Sequence, residues 1–114
     1  MVANVEWYWV NLVILKRFNK MNFTANPDAD INGTSFHDVT INCSFKQLVN
    51  KLGEPHCYNS SEDKVRYEWF FTSDNGKVVT LYDWKTYSSA PSLWHVGGLN
   101  KQETVLFKNW FLNL

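Results

Sequence analysis

The chain predicts an α+β fold, a small antiparallel sheet with helices packed on one side. Three observations carry that expectation. Apolar and polar residues alternate on either side of Asp74-Asn75-Gly76, as two strands of a hairpin would. A short amphipathic run from Phe45 to Leu52 is bracketed by helix-start and helix-stop residues. A second capped run closes the sequence after Asn100. The 114 residues suffice for one core, and the reading is a single domain over 21–114 preceded by an extension over 1–20.

Taken in order, the N-terminal apolar run Val10 to Leu15 is short, and Lys16 and Arg17 follow it. A secretory signal has the reverse polarity, and a membrane span needs about 20 apolar residues. The alternation Val5, Trp7, Trp9 suits a strand or an oligomer contact. The stretch "NFTANPDADINGT" reads as loop or irregular strand, with Pro27 and Gly33 as breakers. In "SFHDVTINCS", Val39, Ile41 and Cys43 alternate with Asp38, Thr40 and Asn42, a half-buried strand. Ser44 with Gln47 forms a capping box, Phe45, Leu48, Val49 and Leu52 share a face, and Gly53 and Pro55 stop the helix. Val65, Tyr67, Trp69 and Phe71 then point one way, and Arg66, Glu68, Phe70 and Thr72 the other. The returning strand, Val78 to Lys85, sets Val78, Thr80, Tyr82 and Trp84 against Val79, Leu81, Asp83 and Lys85. "LWHVGG" is a third strand. Asn100 and Glu103 pair as a second capping box, opening a terminal helix whose wide apolar stripe, Val105, Leu106, Phe107, Trp110, Phe111 and Leu114, is expected to cover two surfaces.

The formal charge is zero, so no general basic field draws the protein onto DNA, RNA or an anionic membrane. Aromatic residues make up 17% of the chain, with six Trp, more than so small a core hides completely. Cys43 and Cys57 give neither a disulfide framework nor metal spacing. Sequons at Asn22, Asn32, Asn42 and Asn59 arise readily in a chain rich in Asn, Ser and Thr, and without a signal peptide they carry little weight. "DADING", Asp28 to Gly33, matches half of a calcium loop, but Val39 stands where the bidentate Glu is required, so a turn is expected. None of His37, His56 and His95 opens a His-x-Thr/Ser motif or a His-Glu-x-x-His motif, and neither Cys sits in a nucleophile turn. The expectation is a protein without catalysis, metal or cofactor.

One cluster stands out. "LYDWKTYSSAPSLWHVGG", Leu81 to Gly98, sets Tyr82, Trp84 and Trp94 beside Lys85, His95 and two glycines. Rings at this density either fill a core or stack on a flat ligand, each stacked base being worth about 1–3 kcal/mol. Gly33-Thr34-Ser35 adds backbone amides and hydroxyls suited to a phosphate, or a turn into a strand.

The string Gly33-Thr34-Ser35, the helix end Leu52-Gly53-Glu54-Pro55, Lys64-Val65, Glu68-Trp69, Tyr82-Asp83-Trp84-Lys85 and Trp94-His95-Val96-Gly97-Gly98 together resemble a family of small bacteriophage proteins, the anti-CBASS sponges. The resemblance spans about residues 21 to 110 and leaves out 1–20. It implies a viral immune-evasion protein of the host-cell cytoplasm. Such a protein sequesters a cyclic dinucleotide or related nucleotide signal without cleaving it and assembles as a homo-oligomer, a tetramer. The ligand-binding residues expected are Thr34, Ser35, Tyr82, Trp84, Lys85, Trp94 and His95. The competing expectations are a protein–protein interaction module that inhibits a host protein, and an enzyme that cuts the nucleotide.

Overall fold

The computed structural model describes residues 21–60, 63–85 and 91–114. The extension expected over 1–20 lies outside the described residues. Within them the chain forms β1 (Phe23–Ala25), β2 (Ser35–Asn42), α1 (Phe45–Leu52), β3 (Cys57–Tyr58), β4 (Tyr67–Ser73), β5 (Val78–Tyr82), β6 (Leu93–Gly98) and α2 (Lys101–Leu112). The strands make one antiparallel sheet in the order β1-β4-β5-β6-β2, with β3 also pairing β4. The α+β expectation is met.

Local chemistry explains the elements. The Ser44 side chain accepts from the Gln47 N–H while the Gln47 side chain accepts from the Ser44 N–H, both halves of the capping box. Gly53 takes φ +83° at the end of α1, a value that favours glycine. In the β4–β5 turn Gly76 has φ +79° and donates to the Ser73 carbonyl. The second cap is present on one side: the Asn100 side chain accepts from the Glu103 N–H at 3.0 Å. Glu103 Oε2 is buried without a hydrogen-bond partner among the described residues.

Period-two alternation gives the sheet two different faces. One carries Val39, Ile41, Trp69, Phe71, Val79, Leu81, Trp94 and Val96, all buried, and joins Leu48 of α1 and Leu106, Phe107 and Phe111 of α2 in one core. Gly98 lets α2 approach, since a Cβ there would lie 2.9 Å from Thr104 Cγ2. The opposite face carries Glu68, Phe70, Thr80, Tyr82, His95 and Gly97, in cross-strand register: Glu68 faces Tyr82, Thr80 faces Gly97, and Tyr82 faces His95. The short strand β1 falls in the stretch read as loop or irregular strand, whereas β3 escaped the sequence reading, because two residues do not establish a period of two.

Candidate binding cleft on the open sheet face

The cleft lies on the face away from the main core. Its volume is about 200 Å³, and Thr34, Ser35, Val65, Glu68, Thr80, Tyr82, Trp84 and Gly97 line it. The floor exists because residue 97 has no side chain. A Cβ at Gly97 would come within 2.5 Å of Thr80 Oγ1 and 3.3 Å of the Tyr82 ring. Tyr82 and Glu68 stand side by side on neighbouring strands, at the spacing of a directly opposed pair.

The far wall is held by a buried carboxylate. Asp83 accepts from the backbone N–H groups of Arg66 (2.8 Å) and Tyr67 (3.0 Å) and from Arg66 Nε (3.3 Å). The Lys85 N–H donates to the Lys64 carbonyl at 2.7 Å. These bonds fasten residues 64–67 to residues 83–85, bringing Val65 and Trp84 to the same cleft. Charge-assisted bonds of this kind are among the stronger ones available to a small domain. The near wall is the Ile31–Thr34 turn, in which Gly33 adopts φ +84° and both the Thr34 N–H and hydroxyl donate to the Ile31 carbonyl.

Four of the seven expected residues meet here: Thr34, Ser35, Tyr82 and Trp84. Lys85 does not line the cleft. The strand ends at Tyr82, Lys85 turns out with φ +50°, and its Nζ sits 5.5 Å from the centre of the Trp84 ring. His95 lies one strand over, stacked on Phe36 at 4.2 Å and tilted against Tyr82 at 5.6 Å, so it supports the ring next to the cleft. Trp94 belongs to the core instead. It is fully buried, packs edge-on against Trp69 at 5.6 Å and donates its indole N–H to the Cys43 carbonyl. The reason is parity: Trp94 falls on the inward positions of β6, with Val96. The Gly97-Gly98 pair divides in the same way, Gly97 under the cleft and Gly98 under α2.

At Gly33-Thr34-Ser35 the chain makes a turn that leads into β2. The Thr34 hydroxyl commits its proton to the Ile31 carbonyl and offers a ligand only lone pairs. His37 Nε2 lies 3.1 Å from the Gly98 carbonyl and 3.2 Å from Ser35 Oγ. His56 serves the fold: its Nδ1 accepts from the Phe70 N–H at 2.9 Å, and burial holds its pKa below the usual histidine range. "DADING" is a turn, as expected, with the Asn32 N–H bonded to the Asp30 carboxylate. Among the described residues no group of three acidic, His or Cys side chains is placed to hold a metal ion.

The residue missed is Glu68. Burial, with Asp83 adding a second negative charge nearby, pushes its carboxyl up to about 7. Tyr82 is shifted up as well, by burial and then by Glu68. A clue was legible in the alternation, which already set Glu68 and Phe70 on the same face. Its pairing with Tyr82 depends on strand register. No family model matches the chain, nor does any curated protein or solved structure.

Proposed function

We propose that the protein is a viral binding protein of the host-cell cytoplasm that sequesters a cyclic oligonucleotide signal without cleaving it, seating one base of the ligand between Tyr82 and Trp84. The observation that carries this is the cleft itself: two aromatic walls, a glycine floor, and a carboxyl and hydroxyls at the edges. Flat rings and polar edge groups are what a nucleobase uses for stacking and recognition. The volume sets the scale. Pockets that swallow a whole drug-sized ligand run to roughly 300–1,000 Å³. A cleft of about 200 Å³ takes a single base. The sugar–phosphate ring then lies outside, within reach of Lys85 beside Trp84 and of a second copy of the chain. The resemblance of residues 21 to 110 to the anti-CBASS sponges supplies the cyclic nature of the ligand and the tetrameric assembly.

The test is retention and release. Purified protein is incubated with a panel of cyclic dinucleotides, desalted and heat-denatured, and the supernatant is resolved by chromatography. Recovery of intact nucleotide is expected. Time-dependent appearance of linear nucleotide would convert the reading to an enzyme. Retention of nothing from the panel would leave an interaction module as the better account.

A further inference from the structure

We propose that Glu68 is the specificity-determining residue of the cleft, selecting a ring that presents two adjacent N–H donors on one edge, which among the common bases is guanine. This rests on the reading of the cleft as a base-binding site. Three observations lead to it.

First, Glu68 is the acid among the residues lining the cleft, and it stands directly opposite Tyr82 on the same face. A base stacked on Tyr82 therefore turns one edge toward Glu68. Second, the structure gives the Glu68 carboxyl no hydrogen bond of its own among the described residues. The Glu68 carbonyl accepts from the His56 N–H, and the side chain is partly buried at the cleft. A half-buried carboxyl without donors is under-solvated, and a ligand bringing N–H groups restores what burial removed. Third, the near wall adds an acceptor. The Thr34 hydroxyl is committed as a donor to the Ile31 carbonyl, so toward the cleft it can only accept. Ser35, Thr80 and Tyr82 carry hydroxyls that rotate to suit either role. The fixed polarity of the cleft is thus that of an acceptor.

That polarity excludes a phosphate as the group seated inside, since no cationic side chain lines the cleft among the described residues and Glu68 would face the anion. It separates the purines as well. Guanine offers N1–H and the exocyclic amine side by side, a match for both oxygens of a carboxylate. Adenine offers one N–H donor beside a ring nitrogen that needs a donor in return. A carboxylate leaves that nitrogen unpaired, whereas a side-chain amide satisfies both atoms, as Asn and Gln do in pairing adenine. Glu68→Gln, nearly the same shape, should therefore move the preference from guanine toward adenine.

The experiment is isothermal titration of the wild-type protein, Glu68→Gln and Trp84→Ala with cyclic di-GMP and with cyclic di-AMP at pH 8. Circular dichroism melting confirms that each variant is folded. Wild type is expected to bind cyclic di-GMP the more tightly. Glu68→Gln should lose about ten- to a hundredfold of that affinity, the worth of one bidentate pair, with cyclic di-AMP unchanged or improved. Trp84→Ala should weaken both ligands to a similar degree. If wild type binds both dinucleotides equally and Trp84→Ala weakens both, the cleft binds bases but guanine selection by Glu68 is overturned. Selection by Glu68 is equally overturned if Glu68→Gln leaves the ratio of the two affinities unchanged. If neither dinucleotide binds the wild type, the proposed function falls and this assignment with it.

Discussion

Trp84 and Trp94 carry the same side chain with opposite duties, and alanine substitution separates them. Trp94 is fully buried against Trp69 and Phe45 and bonded to the Cys43 carbonyl, so Trp94→Ala should cost about 3–5 kcal/mol of folding free energy, read by urea denaturation. Trp84 is 42% exposed in the wall of the cleft. Trp84→Ala should change stability by less than about 0.5 kcal/mol and weaken nucleotide binding by about 1–3 kcal/mol. Glu68 makes a pH prediction at the same scale. Its folded-state value of about 7 lies above the unfolded 4.5, so the native protein holds a proton that the unfolded chain releases. The stabilisation is complete below pH 4.5 and is lost as pH rises through about 7. Glu68→Gln has no such proton to lose. Relative to that variant, wild type should lose on the order of 1 kcal/mol between pH 4 and pH 8, a figure that allows for solvent screening of a partly exposed carboxyl. Melting curves of the two proteins side by side measure it. Equal slopes would show that Glu68 titrates normally.

Between the elements, adjacent glycines of β6 work on opposite sides of the sheet. Gly98 receives α2, and Gly98→Ala would press a Cβ to 2.9 Å from Thr104 Cγ2, an overpacking expected to cost about 1–3 kcal/mol. Thr104→Ser deletes that methyl, so the double variant should recover part of the loss, and a double-mutant cycle by chemical denaturation reads the coupling. Gly97→Ala acts on the other face. Its Cβ would meet Thr80 Oγ1 at 2.5 Å and crowd the Tyr82 ring, filling the cleft floor. Binding should fall at least about tenfold, as expected when a site built for close backbone approach gains a side chain, with a stability loss that Thr80→Ala relieves. Additive costs in either cycle would mean that the neighbouring strands shift freely to absorb the methyl.

For the whole molecule, the helices and the core occupy one sheet face, and apolar side chains remain exposed elsewhere. Phe36 and Trp84 stand by the open face, and Leu112 and Leu114 at the C-terminal end are more than half exposed. Such patches are commonly covered by another subunit. The proposed tetramer predicts a light-scattering mass of about four times the 13.4 kDa chain at micromolar concentration. A mass of one chain would remove the second copy from the account of ligand binding and leave each cleft to act alone. No helix among the described residues is long and apolar enough to cross a membrane.

Much of this fold is local in origin. Ser44 and Gln47, Asn100, Gly53 and Gly76 act within a few residues of themselves, so the helix ends and the hairpin turn are legible in the sequence. The alternation in β4, β5 and β6 likewise separates two faces before any partner is known. What it leaves open is which face becomes core, and it was tertiary packing that put Trp94 under α1 and Tyr82 in the open. Register is equally non-local: Glu68 meets Tyr82, and Gly97 meets Thr80, only because β4, β5 and β6 align as they do. The Asp83 carboxylate, bonded to the Arg66 and Tyr67 N–H groups at the open end of the β4–β5 hairpin, decides that Val65 and Trp84 share a cleft. The sequence by itself determined the elements and the supply of rings. Which rings the cleft keeps was decided by strand pairing and one buried charge, contacts between residues far apart in the chain.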